Sequence, residues 1–170
     1  MSTPDSATEA APAHRSFLKT KRPDGLSNLS HSAACPCRSE EPVSQTYGEC
    51  CALWHVGLQA TPPRHAPTPE ALMRSRYSAY ALHLSSYLLA TWYGESSPGE
   101  IDFPPTKWLG LEIKHAASSG NVGVVEFVAR YRDSTGRAGR LHEISRFVRE
   151  GVGEAARWLY IDGQSPEEAP

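Results

Sequence analysis

Thiol chemistry is concentrated in one stretch of the chain. Cys35-Pro36-Cys37 is followed by a polar segment ending in Tyr47-Gly48-Glu49 and then by Cys50-Cys51, so all four cysteines lie between positions 35 and 51. Two close thiol pairs on either side of a reversing loop suit tetrahedral Zn²⁺, which takes thiolate sulfur at ~2.3 Å. Each pair would hold one edge of the tetrahedron. Pro36 stiffens the first pair, and the segment from Pro42 to Gly48 is polar enough to turn back on itself. The rival chemistries are disulfides, redox catalysis and thiols without a role. Adjacent Cys50 and Cys51 do not readily pair with each other, and redox sites favour Cys-x-x-Cys opening the helix of a βαβ unit, which is absent here. His55 offers an imidazole donor that could replace Cys51, although a histidine in a connector is more often solvated.

A second group of ionisable residues lies among apolar ones. Glu143 shares a strand face with Leu141 and Phe147, and a buried carboxylate requires a partner. Arg76 or Arg74 is the natural one. Together with Tyr80, Trp92 and Arg146, these residues compose a candidate polar wall for a ligand pocket. A buried ion pair fixing a helix against a sheet is the favoured alternative, since structural pairs also perturb titration. His142 titrates near neutrality and could act as an acid or base, but strand alternation places it opposite Glu143. No phosphate-cradling glycine loop, nucleophile elbow or HExxH pattern is present.

The elements that must position these groups follow from patterning. Residues 1–33 are rich in Ser, Ala, Pro and Thr and read as a disordered arm. Within it, Lys19, Lys21 and Arg22 form a weak basic cluster. Residues 34–55 carry the thiols and 56–67 read as a proline-rich linker docked through Trp54. Thr68-Pro69-Glu70 is a strong helix start, with an N-cap, a first-turn proline and an acid at the positive end of the dipole. Leu72, Met73, Tyr77, Tyr80, Ala81 and Leu84 then recur at helical spacing, leaving Arg74, Ser75 and Ser78 elsewhere around the helix. A second helix is expected from Ser85 or Ser86 through Trp92. Strands are expected over 107–115, 122–133, 141–150 and 158–162. Helices followed by strands imply an α+β domain with an antiparallel sheet, covering 68–163, with a disordered tail over 164–170.

Several blocks resemble a known family. Cys-x-Cys, an aromatic residue ahead of a Cys-Cys pair and a short polar loop resemble the SEC-C zinc motif, the small metal-binding tail also found on the preprotein translocase motor. Thr68 to Tyr80, Tyr87 to Trp92, Trp108-Leu109-Gly110-Leu111, Val125 to Ala129, His142 to Phe147 and Trp158 to Gly163 resemble, in order, the bacterial YchJ family, UPF0225. The resemblance covers about residues 33–163. It implies an NTF2-like (cystatin-like) cone, in which two N-terminal helices pack on a curved four-stranded antiparallel sheet that leaves a pocket at its open end, preceded by a zinc knuckle. It favours Cys35, Cys37, Cys50 and Cys51 as the ligands of zinc. Two departures stand out. Arg38-Ser39-Glu40 replaces the family's glycine-rich turn, and no second copy of the motif precedes the C-terminus.

Composition narrows the function further. A formal charge of −2 over 170 residues argues against a broad nucleic-acid footprint. No apolar run approaches the ~20 residues needed to cross a bilayer, and the N-terminus lacks the apolar core of a secretion signal, so a cytoplasmic protein without membrane contact is expected. A closed four-thiolate zinc has no open position for catalysis. The expected function is therefore a non-enzymatic adaptor whose knuckle contacts a protein or ribosomal partner. The alternative is a small-molecule-binding protein or enzyme using the cone pocket.

Overall fold

The computed structural model describes residues 28–167. Most of the expected N-terminal arm, with its basic cluster, and the last three residues of the tail lie outside them. From Leu29 onward the chain packs against the core. The backbone N–H groups of Gly48 and Tyr47 donate to the carbonyls of His31 and Ala33 at 2.8 and 2.7 Å.

Three short α-helices precede the sheet: α1 (Ala52–His55), α2 (Pro69–Ala81) and α3 (Ser85–Ala90). The start of α2 is the expected one. Thr68 Oγ1 accepts from the Ala71 N–H at 3.0 Å, Pro69 occupies the first turn, and Glu70 sits at its positive end. The helix stops where His83 takes a left-handed φ of 57°, which turns the chain into α3. No side chain caps α3: Leu84, not a serine, precedes its first turn. Beyond α3, Thr91 and Tyr93 exchange backbone bonds with Tyr160 at 2.9 and 2.7 Å.

Four strands follow: β1 (Lys107–Ser119), β2 (Val122–Arg132), β3 (Ala138–Glu150) and β4 (Arg157–Gln164). They form an antiparallel meander in the order β1-β2-β3-β4. Register shifts in β1, at Trp108/Gly110 and Ile113/His115, and between β3 and β4 at Arg146/Phe147 are irregularities of the kind that curve a sheet. Val125, Phe127, Ala129, Ser145 and Phe147 are buried on the concave face, as alternation requires.

The helix α2 lies in this concavity, yet its other side is covered as well. Arg74, Ser75 and Ser78, expected elsewhere around the helix, are all buried. The reason is that the cysteine knuckle and α3 pack against the face of α2 that the sheet leaves open. Cys35, Cys37, Tyr47 and Cys51 thereby share one core with Leu72, Tyr77, Leu111 and Phe147. Among the described residues, no helix is long and apolar enough to cross a membrane.

Candidate metal centre

The knuckle is built from short turns. Cys35, Pro36, Cys37 and Arg38 form a 3₁₀ turn with proline at its start, while Cys50 and Cys51 enter α1. The backbone N–H of Cys35 donates to the Gln45 carbonyl at 2.9 Å, and those of Cys50 and Ala52 donate to the Tyr47 carbonyl, closing the loop between the two thiol pairs. Arg38-Ser39-Glu40 needs no glycine, because Ser39 takes an ordinary right-handed φ of −62°. The three side chains instead fasten the loop to its surroundings. Arg38 pairs with Glu41, Ser39 Oγ donates to the Leu109 carbonyl at 3.1 Å, and Glu40 accepts from Arg130 at 2.5 Å.

All four sulfurs lie within 4.8 Å of one another. The contacts Cys35–Cys37, Cys37–Cys50, Cys37–Cys51 and Cys50–Cys51 measure 3.6, 3.6, 3.5 and 3.8 Å. Disulfide bonding would require ~2.05 Å, so the cysteines are free. A tetrahedron with metal–sulfur bonds of ~2.3 Å has edges of ~3.8 Å, which the observed separations match. The donor set therefore fits a metal ion. Hydrogen bonding from Cys37 holds the Cys35 thiol far below its ordinary pKa, while bonding with Cys35 pushes Cys37 and Cys51 upward. Four thiolates at these distances require a cation between them.

Surrounding groups orient the site. Ser78 Oγ lies 3.7 Å from Cys35 Sγ. Arg74, 9% exposed at its side chain, donates to the Cys37 carbonyl at 3.3 Å and pairs with Glu41 at 2.6 Å and Glu70 at 2.7 Å.

His55 is not a ligand, nor is it solvated: it is 2% exposed and both ring nitrogens are engaged. Its Nε2 lies 2.9 Å from the Ser75 carbonyl, which only accepts, so Nε2 carries the proton and Nδ1 accepts from Tyr47 OH at 2.8 Å. Ser75 Oγ donates to the Leu72 carbonyl at 2.8 Å and so accepts from Tyr87 OH at 2.7 Å.

The pocket candidates separate. Arg76, Tyr80 and Glu143 line one cavity of ≈ 230 Å³. Arg74 lies on the knuckle side of α2, because two helical residues turn about 200°. Arg146 points from the reverse face of β3 and pairs with Asp162 through Nε and Nη2 at 2.7 and 2.5 Å. Trp92 packs behind Arg76, its ring centroid 4.7 Å from the guanidinium carbon. The expected pair between Glu143 and Arg76 or Arg74 is not formed. Ser145 Oγ donates to Glu143 at 2.7 Å, with Tyr160 OH more distant at 3.5 Å. His142 is on the opposite face from Glu143, donating from Nε2 to Glu126 at 2.8 Å. Sequence reasoning missed Met73, Tyr77, Trp108, Phe127 and Tyr160 as cavity walls. For Met73, Arg76, Tyr77 and Tyr80 the signal was present, as one helical stripe at i, i+3, i+4 and i+7.

Residues 68–163 match the family model described as YchJ, middle NTF2-like domain. A UPF0225 protein of Ralstonia nicotianae is 49% identical over 142 residues, covering 78% of this chain and 91% of its own length. One from Bordetella pertussis is 45% identical over 139 residues, covering 80% and 96%. Among solved structures, a SEC-C motif containing protein from Psychrobacter arcticus superimposes with a TM-score of 0.67 at 29% identity, covering 78% of this chain and 82% of that one. Another from Rhodopseudomonas palustris gives 0.63 at 31% identity, covering 78% and 98%.

Proposed function

The chain belongs to the YchJ family, UPF0225, and on that premise we propose that it is a non-enzymatic cytoplasmic adaptor whose knuckle holds one structural zinc and presents a surface to a protein or ribosomal partner. The observation that carries the reading is the set of sulfur separations, 3.5–3.8 Å between contacting cysteines, which suits Zn²⁺ better than larger oxygen-seeking cations. Four thiolates leave the ion no open position, so the metal has a structural and not a catalytic task. It would hold the loop from Arg38 to Thr46 against α1. Val43 is 72% exposed at the tip of that loop, and Leu53 and Val56 are 36% and 38% exposed on and just beyond α1. Apolar side chains displayed on a rigid knuckle are suited to contact with a macromolecule.

Elemental analysis of protein purified without a metal-binding tag should find about one zinc per chain, lost in Cys50→Ser. For the adaptor role, Val43→Asp combined with Leu53→Asp should retain zinc but abolish co-sedimentation with ribosomes or capture of a purified protein partner. Full zinc with unchanged capture would reject the knuckle as the contact surface, and a folded protein devoid of zinc would reject the metal.

A further inference from the structure

The cavity between α2 and the sheet shares no lining residue with the thiol cluster and has a chemistry of its own. Its walls are aromatic: Tyr77 and Tyr80 from α2, Trp108 from β1 and Tyr160 from β4. Two charged groups of opposite sign also line it, and neither is satisfied by the other. Arg76 is 2% exposed. Its Nη1 donates to the Leu88 carbonyl at 2.8 Å and to Thr91 Oγ1 at 2.9 Å, and its guanidinium carbon lies 4.4 Å from the Tyr160 ring centroid. Nε and Nη2 reach no acceptor among the described residues. Glu143 uses Oε1 to accept from Ser145, whereas Oε2 receives no hydrogen bond among the described residues. No nitrogen of Arg76 comes within ion-pair distance of Glu143. A buried guanidinium with spare donors and a carboxylate with a spare acceptor thus face one aromatic space without closing on each other. Glu143 is half-buried and the free polar atoms of both groups keep contact with solvent through the cavity, so this arrangement suits an occupant that replaces that solvent at both.

We propose that this cavity binds a small planar aromatic molecule carrying a hydrogen-bond acceptor and donor together, as a primary aromatic amide does, with the acceptor toward Arg76 and the donor toward Glu143. Aromatic walls favour a flat ring through stacked or edge contacts. The volume of ≈ 230 Å³ is below the ~300–1,000 Å³ of clefts for drug-sized ligands, which sets the occupant at metabolite size. Paired donor and acceptor distinguish the amide from a carboxylate, which would be repelled by Glu143, and from an amine, which would be repelled by Arg76. The entrance passes Leu141, 39% exposed on the cavity rim.

The probe is benzamide, titrated into the full-length protein while the Trp108 indole and Tyr80 ring resonances are followed. The expected result is a saturable shift. Benzoate and benzylamine should each bind at least about tenfold more weakly, the scale set by one unpaired buried polar group. Glu143→Leu should remove the shift by deleting the acceptor, and Leu141→Trp should remove it by filling the entrance from a half-exposed position, with the remaining amide spectrum intact in both. Absence of a saturable shift in the wild type would overturn the proposal. So would a shift that survives both substitutions, or equal affinity for the three probes.

Discussion

At the scale of single residues, His55 is the most informative side chain outside the thiols. Burial is the largest influence on it and lowers its pKa from 6.5 to about 4, against a smaller opposing effect of the Ser75 carbonyl. The neutral imidazole is needed twice over, since Nδ1 must accept from Tyr47 and Nε2 must donate to Ser75. The folded pKa lies below the unfolded one, so between pH ~6.5 and ~4 the unfolded chain binds the extra proton and stability falls as the pH falls. The contribution is complete above pH ~6.5, and its full loss at pH ~4 amounts to on the order of 3 kcal/mol. Denaturant unfolding of the wild type and His55→Gln at pH 7 and pH 5 measures this: the substitution should lower stability at pH 7 and reduce the drop between the two pH values. Equal drops would mean that His55 charges freely in the folded protein. The thiol quartet was legible in the sequence because a metal site needs only residue type and close spacing. The role of His55 was not, because the carbonyl that fixes its tautomer belongs to Ser75 on another element.

At the scale of elements, α2 is the piece on which everything else is assembled. Its N-cap, its first-turn proline and one apolar stripe were legible, since each is written in local chemistry. Its burial on the opposite side was not, because Arg74, Ser75 and Ser78 fall outside the apolar stripe and their partners come from other elements or only from the folded helix: Glu41 and the Cys37 carbonyl for Arg74, the Leu72 carbonyl and Tyr87 for Ser75, the Cys35 sulfur for Ser78. Strand alternation sorted Glu143 from His142 correctly, and it could equally have removed Arg146 from the pocket candidates. The four strands and their antiparallel pairing were legible from patterning, whereas β1 and β4 run further than their apolar cores suggested. Helix and sheet approach closely at Gly123 of β2, where an added Cβ would stand 2.4 Å from Cγ of Pro69 and 3.3 Å from the Trp158 ring. A proline ring has little freedom to yield. Gly123→Ala should therefore displace the start of α2 and cost about 1–3 kcal/mol, the range for overpacked sites. A fall in the denaturant midpoint with an unchanged slope would register this. An unaltered midpoint would show that strand and helix separate without strain.

At the scale of the molecule, the question is whether the knuckle is an appendage or part of the folding unit. An appendage would lose its metal without consequence for the cone. The packing points the other way. Cys35, Cys37 and Cys51 are each about 1% exposed or less and belong to the same buried cluster as Met73, Val125 and Trp158. Glu40 and Glu41 of the knuckle hold Arg130 of the sheet and Arg74 of α2, and Tyr47, His55 and Ser75 link the knuckle to α2 by hydrogen bonds. If the knuckle holds zinc as proposed, removing the ion would leave mutually repelling thiolates, or newly protonated thiols, inside a core shared with the cone, and their loss of order would uncover one whole side of α2. Because a ligand bound only by the native state stabilises it by mass action, stripping the metal with a strong chelator should lower the melting temperature by on the order of 10 °C. It should do so in one transition, seen identically by tryptophan fluorescence, which reports Trp54 in the knuckle together with Trp92, Trp108 and Trp158 in the cone, and by far-ultraviolet circular dichroism. Restoration by added zinc, and no chelator effect in Cys50→Ser, would tie the shift to the site. Two separated transitions, or a cone that melts at the same temperature with and without metal, would instead mean that the knuckle folds on its own and that the shared core transmits nothing between them.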